Sequence, residues 1–254
     1  MVIPLVVGAV TAAGLGTRLW KLSGGIPKAF FRIKGRPLLW YSLKALQRVG
    51  IDTVVISTVP GFSAETEEIV NELGIQGIIL ENQRNFLGNG TSLTSAIKYA
   101  LSLDNLVIVS VTDHFLPREA YVKVKESLQQ GSIAVIAGDS SPIYVDIEES
   151  TKILRLGDGS MKIGKDLAEW QWIDMGLFGF SSESLNSVKT CEKENYTISS
   201  MLQCMSTQVR INIASLPSSP WSDIDTIEDY IDLLYGKRRE VLEAVLRWLS
   251  WRNG

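Results

Sequence analysis

Short β-branched runs with continuous apolar cores, separated by segments of helical spacing, limit how this chain can fold more than any other feature. Leu5–Thr11, Asp52–Thr58, Ile78–Leu80 and Leu106–Val111 read as strands. Between them Leu38–Val49, Ala64–Leu73 and Ser92–Leu103 read as helices. Gly50 and Gly74 are placed to end the first two, Ser63 to begin the second, and Thr91 or Ser92 to begin the third. A strand without polar alternate positions is buried on both faces, so the pattern predicts an α/β fold with a doubly wound, mostly parallel sheet. Beyond residue 130 the texture changes. Ile133–Ala137, Lys152–Leu156 and Trp172–Phe178 are short strands and Asp158-Gly159 a hairpin turn, which predicts a mixed β region or lid added to the parallel part. Ile227–Arg252 reads as helical. No repeat or linker interrupts the 254 residues, which suit one continuous domain.

Several chemistries are excluded by residue counts. The single histidine, His114, rules out multi-histidine metal sites. Cys191 and Cys204 are too far apart for a C-x-x-C pair and read as free thiols of a reducing compartment. Val2–Ala13 lacks a basic start and is too short to span a bilayer, so a cytoplasmic location is expected. Residues 1–51 hold eight Lys or Arg and no Asp or Glu, whereas the remainder holds 17 basic and 28 acidic residues. Nucleic acid is not an expected partner, because the basic residues surround a glycine-rich loop and the rest is acidic.

That loop is Ala12-Ala13-Gly14-Leu15-Gly16-Thr17-Arg18-Leu19, directly after the first strand. Two glycines in a strand-to-helix turn let backbone N–H groups approach a phosphate. No Gly-Lys-Ser/Thr closes it, so it is not a Walker A loop. Leu19 replaces the third glycine of a dinucleotide fingerprint, and no acidic residue follows at about 20 residues, which speaks against an NAD-dependent dehydrogenase. Taken alone, G-x-G-x-R fits a glycine turn with a surface arginine equally well. Two acidic stations follow: Asp113 at the end of the strand Leu106–Val111, and Asp223 and Asp225 within Trp221-Ser222-Asp223-Ile224-Asp225-Thr226. Carboxylates at strand ends suit Mg²⁺ beside a triphosphate, provided the fold joins the stations. Helix N-capping is the alternative use of Asp223 and Asp225.

The loop, then Pro27-Lys28, then Gly35-Arg36-Pro37-Leu38-Leu39, in that order, resemble the signature of sugar-nucleotide nucleotidyltransferases. The resemblance implies a Rossmann-like nucleotidyltransferase (GT-A-like) fold. It implies triphosphate contacts from Ala13, Gly14, Leu15, Gly16 and Thr17, with Arg18 and Lys28 as catalytic cations. It also implies Mg²⁺ on Asp113 together with Asp223 or Asp225. Further stretches are Glu81-Asn82, Gly88-Asn89-Gly90-Thr91-Ser92, Val145 to Lys152, Ile163-Gly164-Lys165 and Ile173 to Phe178. With these the chain resembles the inositol-1-phosphate cytidylyltransferases from about residue 5 to residue 235. The resemblance implies that CTP and inositol 1-phosphate give CDP-inositol, used for di-inositol phosphate. Asn82, Gly88, Asn89, Gly90 and Thr91 would lie near the cytosine. Lys165 would hold the acceptor phosphate, and Asp174 with Gly176 the ring hydroxyls. Residues 1–130 would form the nucleotide half, 131–226 the acceptor half and 227–254 C-terminal helices.

Met175 departs from the family's usual threonine, which leaves the acceptor pocket's shape open. Phosphocholine, for which Trp170, Trp172 and Asp174 could form a cage, and a hexose 1-phosphate are alternative acceptors. A non-catalytic nucleotide sensor is the alternative of another class. Many relatives are fused to a membrane-embedded domain, so a membrane-embedded partner and homo-oligomers fit the resemblance. The C-terminal stripe of Val241, Leu242, Val245, Leu246, Trp248 and Leu249 is expected to pack on the body or on a partner chain.

Overall fold

The computed structural model describes residues 5–14, 16–19, 24–83, 89–192 and 197–250. Its centre is a parallel sheet of β1 (Val6–Ala12), β4 (Thr53–Thr58), β5 (Gln76–Glu81) and β6 (Leu106–Val111), ordered β6-β1-β4-β5. The apolar runs behave as expected. Val6 and Val10 of β1 face a core layer built with α1 (Leu38–Arg48), α4 (Arg118–Gln129) and α8 (Arg239–Ser250), while Val7 and Ala9 face α3 (Asn89–Leu103) and α6 (Ile198–Ser206). Both faces of the strand are therefore dry, which is why neither carries a polar residue before Thr11, at its carboxyl end. Strand order reverses direction at β1, whose neighbours are β4 and β6, so a crevice opens at the carboxyl ends of β1 and β6.

The added β region is mixed. β11 (Trp172–Ser181) runs antiparallel to β6, β8 (Ala134–Asp139) and β9 (Lys152–Arg155). β9 turns through Gly159 into β10 (Met161–Gly164), the expected hairpin. The register of β11 on β8 slips between Asp174 and Phe178. Gly176 sits in that slip at φ +69°, and a Cβ there would stand 2.5 Å from Val111 and 3.1 Å from the His114 ring. Only glycine lets the strand bend this close to the end of β6.

Three differences from the sequence reading have clear causes. The expected loop 88–92 is helical from Asn89 onward, as the first turn of α3. The expected continuous helix 227–252 breaks into α7 (Ile227–Tyr235) and α8, because Asp232 accepts the Lys237 N–H and leaves room only for glycine at Gly236. Cys191 and Cys204 are not free thiols: they form a disulfide. α5 (Leu185–Thr190) ends beside α6, and the two helices bring together cysteines 13 residues apart. A disulfide, unlike a free thiol, does not point to a reducing compartment. Among the described residues no helix is long and apolar enough to cross a membrane. The C-terminal stripe packs on the body: Val241, Leu242, Val245 and Leu249 are buried, and Trp248 donates its indole N–H to the Leu116 carbonyl at 3.3 Å.

Candidate active site

A cavity of about 310 Å³ opens at the carboxyl ends of β1 and β6. Ala13 and Gly14 of the loop line it, together with Thr112, Asp113 and His114 beyond β6. Lys28 is its most buried cation, at 8 % exposure. Pro27 sets the turn that carries it inward, and Gly16 (φ +64°) lets the loop close down, since a Cβ there would stand 2.5 Å from the Lys28 Cβ. The Lys28 ammonium donates to Asp113 Oδ2 at 2.6 Å and to Asp225 Oδ1. Burial pulls the lysine pKa down, but the two carboxylates outweigh it and hold the ammonium protonated well above its ordinary range. Burial likewise pushes Asp113 up, and Lys28 with His114 overcomes it, so the carboxyl sits well below the usual range.

The two acidic stations, about 110 residues apart in sequence, are joined by a small antiparallel ribbon. β7 (His114–Phe115) pairs with β13 (Ser222–Asp223), setting His114 opposite Asp223, and the Ile224 N–H donates to the Asp113 carbonyl at 3.0 Å. Trp221 anchors the ribbon. Its indole N–H donates to Asp139 Oδ2 at 2.9 Å, in full burial, and its ring stacks on His114 at 5.8 Å. His114 Nδ1 lies 2.8 Å from Asp113 Oδ1. Burial lowers the imidazole pKa, yet Asp113, Asp223 and Asp174 raise it to about 9, so the ring is a cation at neutral pH. The following helix is capped by neither Asp223 nor Asp225. Thr226 and Asp229 form a reciprocal capping box, which leaves those two carboxylates to the cavity.

On the opposite wall the ion pairs are longer and more exposed. Asp174 accepts the Gly176 N–H at 2.8 Å, and burial pushes its carboxyl up to about 6 against that bond and His114. Lys165 follows β10, its carbonyl held by the buried Lys152 ammonium at 2.7 Å. Its own ammonium lies 3.5 Å from Glu149 Oε2. Arg18 lies 3.6 Å from the same oxygen and 3.9 Å from Asp225. Arg18 faces an adjoining hollow of about 600 Å³ that shares Glu149, Asp223 and Asp225 with the cavity.

The donor set suits a hard divalent cation. Asp113 and Asp225 already converge on one positive charge. Beside them, burial raises Asp223, and repulsion from Asp225, Asp113 and Asp229 adds to it against His114. Among the described residues no three His, Cys, Asp or Glu side chains form a ready cage. Mg²⁺ takes one or two carboxylates and completes its shell with phosphate and water.

Of the expected residues, Ala13, Gly14, Lys28, Asn89, Asp113, Lys165, Asp174, Gly176, Asp223 and Asp225 share the cavity wall. Asn82 stands behind it, donating to Thr91 Oγ1 at 3.2 Å and Ser92 Oγ at 2.6 Å, which ties the end of β5 to the start of α3. Gly16, Gly90 and Thr91 do not line the cavity, and Leu15, Gly88 and the Thr17 side chain lie outside the described residues. Trp170 and Trp172 do not reach the cavity. Trp172 lies beside Gly138 instead, so these two tryptophans do not form a cage with Asp174. Ser92, expected at the start of the third helix, lines the wall, as do Glu149, Ser150, Thr151 and Ser199, none of which has a site role assigned from sequence. For Ser199 a signal existed: Thr197-x-x-Ser200 is a capping box that starts α6 at the cavity.

Comparison with known proteins agrees with this architecture. The chain is 28 % identical over 223 residues to a bifunctional IPC transferase and DIPP synthase of Thermococcus kodakarensis, covering 87 % of this chain and 48 % of that protein. It is 29 % identical over 229 residues to the protein of the same name from Archaeoglobus fulgidus, covering 89 % and 43 %. The chain thus spans about half the length of these curated relatives. The solved structure of the inositol-1-phosphate CTP transferase from T. maritima shares the fold, with a TM-score of 0.81 at 24 % identity over 95 % of this chain and 96 % of that one. Residues 8–205 match the MobA-like NTP transferase domain, and the chain belongs to that nucleotidyltransferase family.

Proposed function

We propose that the chain transfers the cytidylyl group of CTP to inositol 1-phosphate, giving CDP-inositol and pyrophosphate. The observation that carries the chemistry is Lys28, buried between Asp113 and Asp225 where the loop after β1 meets the end of β6. A buried cation among carboxylates at a strand-order reversal suits a metal-bound triphosphate. The choice of base and acceptor is supported by the names of the relatives, transferred here as a proposal.

In the proposed reaction a phosphate oxygen of the acceptor attacks the α-phosphorus of CTP, and the bond from that phosphorus to the β-phosphate oxygen breaks. A phosphomonoester dianion needs no general base, so the protein's task is positioning and charge compensation. The loop N–H groups and Arg18 hold the triphosphate, Lys28 compensates charge developing at the α-phosphate, and Lys165 holds the acceptor phosphate. Asp174 accepts hydrogen bonds from the ring hydroxyls. Mg²⁺ on Asp113 with Asp225 or Asp223 would neutralise phosphate charge. On this reading residues 1–130 serve the nucleotide, 131–226 the acceptor, and the C-terminal helices brace both, in a cytoplasmic setting that supplies CTP. The product would pass to a membrane-embedded partner.

The test is pyrophosphate release across a panel of nucleoside triphosphates and phosphorylated acceptors with Mg²⁺. CTP with inositol 1-phosphate is expected to exceed every other pair. Preference for phosphocholine or a hexose 1-phosphate would replace the acceptor, and nucleotide binding without release from any pair would leave a sensor.

A further inference from the structure

The side chains around the cavity form one line of alternating charge: His114, Asp113, Lys28, Asp225, Arg18, Glu149, Lys165. Its two ends differ. The Asp113 contacts are 2.6 and 2.8 Å long and largely buried, whereas Glu149, Arg18 and Lys165 are 64, 57 and 44 % exposed with contacts of 3.5 to 3.9 Å. Long, exposed ion pairs are weak and exchange readily. Glu149 also touches both sides of the site with a single atom: its Oε2 is the oxygen shared by Arg18 and Lys165. Two cations that share one anionic oxygen are spaced to share another.

We propose that Glu149 is a placeholder for the acceptor's phosphate, a specificity-determining residue that an incoming phosphomonoester must displace. The assignment rests on Lys165 as the acceptor-phosphate ligand. Arg18 keeps a second carboxylate, Asp225, when Glu149 leaves, but among the described residues Lys165 has no other carboxylate within ion-pair distance. The exchange replaces a monoanion by a dianion. A phosphorylated acceptor therefore gains charge attraction on entering, and a neutral polyol gains none. Glu149 in this way selects for the phosphate without touching the reacting atoms.

The test is calorimetric titration of the full chain with inorganic phosphate at low ionic strength, for wild type, Glu149→Gln, Lys165→Gln and the double variant. Loss of a competing exposed pair predicts phosphate affinity about three- to tenfold tighter in Glu149→Gln. The gain should vanish when Lys165 is also replaced. CTP affinity should move by no more than about twofold, because Arg18 stays paired with Asp225. Unchanged or weaker phosphate binding in Glu149→Gln overturns the proposal, as does an equal gain for CTP, which would place the competition at the triphosphate. Steady-state kinetics separate this from the function itself. A Glu149-dependent phosphate gain without turnover of inositol 1-phosphate removes the acceptor's identity and keeps the placeholder. Turnover without the gain removes the placeholder alone.

Discussion

The two walls of this cavity, which the proposed function gives to the nucleotide and to the acceptor, are built from the same residue types and differ in how they hold charge. On the nucleotide wall Lys28 is buried, its contact to Asp113 is 2.6 Å, and both groups are driven further into their ionised forms. On the acceptor wall Lys165 meets Glu149 at 3.5 Å in solvent, and Asp174 is a carboxyl that burial pushes up to about 6. Two aspartates of one cavity, Asp113 and Asp174, are thus shifted in opposite directions. The cause is a cation at hydrogen-bond distance from one and mainly desolvation around the other. The wall around Lys28 is already paired without a ligand, and on the proposed function the wall around Lys165 and Asp174 would become well paired only with a polyol phosphate bound.

The contrast is most easily broken at Lys28. Lys28→Ala removes the central cation of the rigid wall, and turnover should fall about 10²–10³-fold, or about 3–4 kcal/mol in barrier. It also leaves Asp113 without its lysine, so thermal stability near neutral pH should fall as well. Steady-state rates and calorimetric melting read the two effects, and turnover within threefold of wild type would remove Lys28 from the mechanism. Trp221→Phe probes the same wall from behind. It strands the fully buried Asp139 without its indole donor, at a cost of about 1–3 kcal/mol in stability read by urea unfolding. A loss below about 0.5 kcal/mol would show that the ribbon joining Asp113 to Asp223 needs no such anchor.

The acceptor wall should respond with opposite sign. Asp174 has a folded pKa raised above its unfolded value, so its favourable contribution is complete below pH 3.8 and lost as pH rises through about 6. At pH 7.5 the ionised carboxylate is a burden, and Asp174→Asn should stabilise the fold by about 1–3 kcal/mol while weakening acceptor binding. At pH 4 the two proteins should melt almost together. Melting curves at the two pH values check this, and a variant less stable at pH 7.5 would mean that Asp174 is paired as firmly as Asp113.

Much of the rigid wall was legible in the sequence. The strand Leu106–Val111 begins and ends as read, because an apolar run flanked by polar residues has only one way to sit in a covered sheet. Asp113 follows from its place just past such a run, whereas Lys28 is picked out only by the resemblance that Pro27-Lys28 carries. The acceptor wall was less legible. Gly176 lies where it does because a register slip bends β11, and a slip leaves no periodicity to read. Glu149 stands in an acidic stretch, Asp146 to Glu149, in which nothing local distinguishes the carboxylate that reaches Arg18. The cysteine pair depends on where two short helices end. The helix Arg118–Gln129 was missed although Ala120, Tyr121, Val124 and Leu128 form its buried stripe, because charged residues separate them and dilute the apolar pattern.

Arg18 sharpens the comparison with the smallest expected change in stability. It stands at the seam between the walls, more than half exposed, and its two carboxylate contacts are 3.6 and 3.9 Å. Pairs of that length in solvent contribute about 0–1 kcal/mol, because side-chain ordering and ion screening cancel most of the attraction. Arg18→Gln should therefore leave the unfolding free energy within about 0.5 kcal/mol of wild type. Against a triphosphate the same guanidinium faces several negative oxygens rather than one shared carboxylate, and its donors can bond in parallel. CTP affinity should then fall by about tenfold or more, with a shallower dependence on salt than in wild type. Stability and affinity falling together would place Arg18 with Lys28 as part of the preassembled wall. Unchanged stability with lost affinity would mark it as a residue that acts only when the nucleotide arrives.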